Sequence, residues 1–134
     1  MPRHSDQLQS NRIGWFIVVG CTAAAVHWCV ATTLVALAGW PPLHANVAGW
    51  LVALGFSFTG HHLLSFRGHG SSVGHAGLRF FAISAGGFLV NESAYALLLR
   101  WTSTRYDVLL ALVLVGVAGV TYLLSRHWAF LADR

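Results

Sequence analysis

The sequence predicts an all-α membrane protein of four transmembrane helices, and three observations carry that reading. Only 9% of the residues are charged while 56% are hydrophobic, against about 25% charged in soluble domains. Four long apolar runs are separated by breaker-rich or polar stretches. Trp15, Trp40, Trp101 and Trp128 stand at the ends of those runs, where an amphipathic ring suits a membrane interface. The mean hydropathy of +0.63 agrees.

The elements follow in order. Residues 1–12 are polar and are expected to form a frayed or interfacial tail. The apolar runs cover about 13–38, 43–66, 78–100 and 107–130. A bilayer core of about 30 Å needs about 20 helical residues, so each run crosses once and is too short to cross twice. Gly39, Trp40, Pro41 and Pro42 close the first connection, because proline cannot continue a helix. Residues 67–77 form a Gly/Ser/His loop, and 102–105 form the third connection. The first run exceeds the roughly 7–15 apolar residues of a cleaved signal, so it is read as a helix that stays. The expected organisation is a cytoplasmic tail over 1–12 and a single transmembrane domain over 13–134.

Orientation comes from arginine. All eight basic residues are Arg, giving a formal net charge of +4. Arg3, Arg12, Arg67, Arg79, Arg126 and Arg134 fall on one side, and Arg100 and Arg105 on the other. Six against two places both termini in the cytoplasm. The arginines are scattered at helix ends rather than massed on one face, which argues against nucleic acid as a partner. Cys21 and Cys29 are eight residues apart in one helical run, about 12 Å of rise. That is too far for a disulfide, and they read as small hydrophobes.

A shift of 64 residues lays the first two runs on the last two. Phe16/Phe80, Val26/Val90, Leu34/Leu98, Gly55/Gly119 and Phe66/Phe130 coincide, and His27 falls on Asn91, His61 on Ser125 and His62 on Arg126. Each unit is two helices, so the expected arrangement is a tandem, parallel repeat rather than an inverted one.

Two polar levels stand out within the runs. Arg126, Ser125, His61, His62 and Arg79 fall near the inner ends of their helices. Together they make a basic pocket suited to a lipid phosphate, which arginine can hold at two oxygens. The alternative is that these side chains only snorkel toward headgroups. Deeper in, Glu92 lies fourteen residues into the third run, about 21 Å from its entry. A charge at mid-helix costs about 2.5–3.5 kcal/mol on insertion scales, so such residues usually face a bundle interior or a water-filled cavity. His27, Asn91 and Glu92 share this depth and suit sugar hydroxyls or a proton relay; the alternative is a protonated Glu92 that bonds only a neighbouring helix. The histidines at 61, 62, 69 and 75 match no metal-ligand spacing, and no metal or other cofactor is expected.

Small residues recur at every fourth position, as in Ala45, Gly49 and Ala53, in Ala82 and Gly86, and in Gly20 and Ala24. This spacing lets helices approach closely. No nucleophile–base pair, P-loop or dinucleotide fingerprint is present, so no enzymatic activity is expected.

The stretch from Arg79 through Phe80, Phe81, Ala82, Ile83, Ser84 and Ala85 to Gly86 and Gly87, followed by Asn91, resembles the helix opening of the GtrA-like family of four-helix bacterial membrane proteins. Phe16 to Gly20 resembles the same opening in the first helix. The ending Tyr122-Leu123-Leu124-Ser125-Arg126-His127-Trp128-Ala129-Phe130 resembles the family's aromatic-Leu-Leu-Asn-Arg-x-aromatic-x-Phe close and is the most specific of the three. The chain departs from the family pattern in having Ser125 for the usual Asn, His61-His62 for Asn-Arg, and Trp15 in the place of Arg79. The resemblance implies translocation of a polyprenyl-phosphate-linked sugar across the bacterial inner membrane for surface polysaccharide synthesis. It implies a multi-pass inner-membrane protein among membrane lipids, working with that sugar lipid. A membrane glycosyltransferase is a further expected partner. Little room for a cavity in one protomer leads us to expect a homodimer. Two other classes fit the same residues: a proton-coupled small-molecule exporter similar to the small multidrug resistance proteins, and a non-transporting scaffold that recruits a glycosyltransferase.

Overall fold

The computed structural model describes the backbone over residues 4–60 and 73–131, and side chains over 14–60, 77–79, 81–121 and 123. Among the described residues there are four helices: α1 His4–Ala38, α2 Pro42–Gly60, α3 Val73–Trp101 and α4 Tyr106–Leu131.

Two boundaries differ from expectation. The polar tail is not frayed: α1 is helical from His4. Residues 4–12 contain neither Gly nor Pro, and extending a helix already nucleated by the apolar run adds one hydrogen bond per residue fixed. The expected loop over 67–77 is also shorter at its end, because α3 starts at Val73. Packing outweighs the poor helix propensity of glycine there. A Cβ on Gly77 would lie 3.3 Å from Phe58 Cζ of α2, so Gly77 lets α3 begin against that ring.

The remaining helix ends follow local chemistry. Gly39 adopts φ +66°, a left-handed conformation that glycine takes at little cost, and Trp40 N–H returns to the Leu34 carbonyl at 3.2 Å. Pro42 opens α2, where its missing N–H is harmless. The Pro41 carbonyl accepts the first α2 bond from Ala45 N–H at 3.0 Å, and the Arg105 carbonyl does the same for Leu109 at 3.1 Å. Asp107 lies in the first turn of α4, where negative charge complements the helix dipole.

The chain forms two compact units, residues 1–85 and 86–134, divided within α3. In the first, α1 and α2 pack against each other as a hairpin. Val19, Ala23, His27 and Ala31, each four residues from the last, supply the buried side of α1. Ala45, Asn46, Gly49 and Ala53 supply that of α2. These are mostly small residues, and they let the backbones close up. Trp50 ties α2 to the start of α3: its indole N–H donates to Ser84 Oγ at 3.0 Å, and its ring lies 5.8 Å from that of Phe81.

In the second unit the buried residues are Asn91, Tyr95, Leu109, Leu110 and Val113. The Tyr95 hydroxyl donates to the Tyr106 carbonyl at 3.1 Å, joining α3 to the start of α4. Each of these five buried residues lies 64 positions after a buried residue of the first unit: Asn91 after His27, Tyr95 after Ala31, Leu109 after Ala45, Leu110 after Asn46 and Val113 after Gly49. Val19, Ala23 and Ala53 have no buried counterpart.

Two described stretches, Gly14–Ala38 and Gly77–Trp101, are long and apolar enough to cross a membrane. They are buried over only 22% and 11% of their most apolar windows. Large hydrophobic side chains such as Ile83, Leu89 and Val115 point outward instead. A soluble protein seldom exposes contiguous apolar surface on this scale.

Candidate functional site

The deepest polar feature of the first unit is built from α1 and α2. His27 lies about 20 Å along α1 from Gly14 and about 16 Å from Ala38, in the middle of the apolar stretch. It is 5% exposed, and Asn46 is fully buried. His27 Nε2 is 2.7 Å from Asn46 Oδ1. An amide oxygen only accepts, so the ring nitrogen donates. Gly49, one turn after Asn46, leaves space for the ring: a Cβ there would fall 2.7 Å from the His27 carbonyl oxygen and 2.8 Å from its Cδ2. A polar pair in such surroundings is stable because both groups are satisfied.

In the second unit Asn91 is 5% exposed and Glu92 half-buried, at adjacent positions of α3. Adjacent helical residues point about 100° apart, so Asn91 turns into the packed side with Tyr95, one turn later. Tyr95 is 1% exposed and directs its hydroxyl to the Tyr106 carbonyl. The expected grouping of His27, Asn91 and Glu92 draws on both units. Within its own unit, the partner that His27 meets is Asn46.

Of the expected inner-level pocket, Arg79 is exposed on α3. His61 and His62 lie outside the described residues. Ser125 and Arg126 belong to α4 by backbone, and their side chains lie outside the described set. At the α3–α4 connection Arg105 grips Asp107 through two hydrogen bonds, Nε to Oδ1 at 3.2 Å and Nη2 to Oδ2 at 2.9 Å.

Among the described residues, each unit carries an open, largely apolar groove of about 480 Å³. That of the first lies between α1 and α2 beside Trp15, Val18, Thr22, Phe56 and Thr59. That of the second is lined by Gly87, Val90 and Leu98 of α3 and by Gly116, Val120 and Thr121 of α4.

Sequence reasoning missed Asn46, Trp50 and Tyr95. The signal for Asn46 was available, since an amide inside an apolar run is costly and seldom idle. For Trp50 and Tyr95 the sequence carries no such signal, and only packing shows which helix each one ties.

The family model described as GtrA/DPMS, transmembrane domain, matches residues 15–130. No curated protein and no solved structure matches the chain. The match takes in the hairpin with its His27–Asn46 pair, the whole of the apolar part of α3, and nearly all of α4. The chain is therefore a membrane protein that belongs to the GtrA/DPMS transmembrane-domain family.

Proposed function

We propose that the protein translocates a polyprenyl-phosphate-linked sugar across the bacterial inner membrane for cell-surface polysaccharide synthesis, without enzymatic chemistry of its own. Membership of the GtrA/DPMS family supports a role in handling lipid-linked sugars. The observation that carries the reading is the presence of buried polar side chains, His27, Asn46 and Asn91, inside helices whose outer surface is apolar. A plain membrane anchor has no use for groups that are expensive to bury.

In this reading four helices cross the membrane with both termini in the cytoplasm, as a tandem pair of hairpins. The 64-residue recurrence of buried positions supports the tandem arrangement. Arg126, Arg79, His61, His62 and Ser125 hold the phosphate at the inner leaflet. His27, Asn91 and Glu92 serve the sugar hydroxyls deeper in. Two protomers enclose the path, and a membrane glycosyltransferase hands over or receives the lipid.

The test is binding and transport of a labelled polyprenyl-phosphate sugar by protein in vesicles. Arg126→Ala should abolish both. Unchanged lipid binding in that variant, read by native mass spectrometry, removes Arg126 from its role.

A second reading, proton-coupled export of small cations, draws on Glu92, a half-buried carboxyl far from either end of α3. It requires pH-gradient-driven uptake that Glu92→Gln abolishes. Transport by Glu92→Gln equal to the parent eliminates it.

A further inference from the structure

We propose that Gly86 and Gly87 form a hinge inside α3, at which the part of the helix tied to α2 and the part tied to α4 change their angle. The sequence holds no other adjacent pair of glycines. Glycine is the poorest helix former after proline, so two in succession at mid-helix need a reason. Close approach supplies one at Gly49, Gly60 and Gly77. A Cβ there would fall 2.7 Å from the His27 carbonyl oxygen, 2.9 Å from Val19 Cγ1 and 3.3 Å from Phe58 Cζ, respectively. At Gly86 and Gly87 a Cβ would meet no described atom within 4 Å. Other open glycines, such as Gly55 and Gly119, stand singly. Space does not demand glycine at 86 and 87, and what the pair adds is freedom of the backbone.

The pair falls between two sets of ties. Before it, Gly77 lies against Phe58 of α2, Phe81 packs beside the Trp50 ring, and Ser84 Oγ accepts the Trp50 indole N–H at 3.0 Å. After it, Asn91 and Tyr95 are buried, and the Tyr95 hydroxyl reaches the Tyr106 carbonyl at the start of α4. Between Ser84 and Asn91 no residue is buried. The division into compact units comes at the same point, between Ala85 and Gly86. A helix held on both sides of a bare stretch bends within that stretch, and sharp bends concentrate where small residues loosen the backbone. Local 3₁₀ or π adjustments keep N–H and carbonyl groups paired through such a bend, as hydrocarbon requires.

The first hairpin has no such joint. The positions 64 residues earlier are Thr22 and Ala23. The Thr22 hydroxyl donates to the Val18 carbonyl at 2.8 Å, and Ala23 is buried. In α3 the joint separates two polar positions. Arg79 lies before it and Glu92 after it, about 20 Å further along the helix. Bending re-aims Asn91 and Glu92 while Arg79 stays with the part tied to α2. The use of this motion to carry a headgroup between the two levels rests on the proposed translocation.

The experiment is pulsed electron paramagnetic resonance on the full-length protein in lipid nanodiscs, with Cys21 and Cys29, both exposed, replaced by Ala. Nitroxides at Leu51 of α2 and Val115 of α4, both exposed, read motion at the joint. A pair at Leu37 and Leu51 within the first hairpin is the control. The Leu51–Val115 distances should be spread more widely than those of the control. Gly86→Ala combined with Gly87→Ala should narrow them to the control width, and Gly55→Ala should leave them broad. Both alanines have room, so the double variant should unfold no earlier than the parent on heating; earlier unfolding shows the pair to be packed and overturns the proposal. A parent distribution as narrow as the control overturns it, and so does a broad one that the two alanines leave unchanged. Narrowing accompanied by loss of a dimer mass in native mass spectrometry assigns the pair to contact between copies and overturns it too. The double variant is then assayed with the labelled sugar lipid. Slowed transport with lipid binding retained supports the hinge as part of translocation, and parent-like transport overturns that part. A parent that flexes as expected yet moves no sugar lipid supports the hinge and counts against the proposed function alone.

Discussion

Gly49 of α2 lies against the backbone of His27 in α1, so close that a Cβ would fall 2.7 Å from the His27 carbonyl oxygen. A backbone atom cannot step aside as a flexible side chain can. Gly49→Ala should therefore push the two helices apart and cost about 1–3 kcal/mol, the usual range for overpacking. Gly55 in the same helix has open space around it. Gly55→Ala should be neutral or stabilising by up to about 1 kcal/mol through helix propensity. Reversible unfolding in mixed detergent micelles measures both, and equal effects would contradict the close approach.

Trp50 tests the tie between α2 and α3. Trp50→Phe keeps an aromatic ring beside Phe81 and removes the donor to Ser84. Hydrogen bonds between membrane helices average about 0.6 kcal/mol in double-mutant cycles. A cycle with Ser84→Ala should return a coupling of that size, and a value indistinguishable from zero would show the bond to be idle.

Tyr95 separates packing from hydrogen bonding in the second unit. Tyr95→Phe removes the donor to the Tyr106 carbonyl and should cost about 0.5–1.5 kcal/mol. Tyr95→Ala also leaves a cavity where one of the largest fully buried side chains stood, and a loss of about 3–5 kcal/mol is expected for a truncation of that kind. Comparison of the two variants by thermal unfolding in nanodiscs reads the difference.

The ion pair of Arg105 with Asp107 should matter far less. Its arginine side chain is 78% exposed, and exposed pairs contribute about 0–1 kcal/mol. Arg105→Ala is expected to stay within that range, with an effect that shrinks as salt is added.

How much of this was legible in the sequence varies by scale. The four apolar runs mark α1 to α4, because hydrophobic length is read directly from composition. Helix starts were less legible. Residues 4–12 and 73–77 are polar or glycine-containing, and they are helical because a neighbouring element extends or packs against them. The buried faces were partly legible: Ala45, Gly49 and Ala53 show the fourfold spacing of close packing, and all three are buried. The reach of side chains was not. His27 stood out by its charge class, yet its partner Asn46 could be found only by folding α2 back along α1. Spacing along one helix says nothing about register across two.

That register has a consequence for how the protein is made. Only Gly39, Trp40 and Pro41 separate α1 from α2, so the two helices emerge from the ribosome within moments of each other. A histidine or an asparagine entering hydrocarbon alone carries the cost of an unmet polar group. In the proposed four-span topology the two enter together as a closed hairpin, each already bonded to the other. On that topology the short connection acts as a chaperone written into the chain, sparing both side chains any solitary exposure to lipid during insertion.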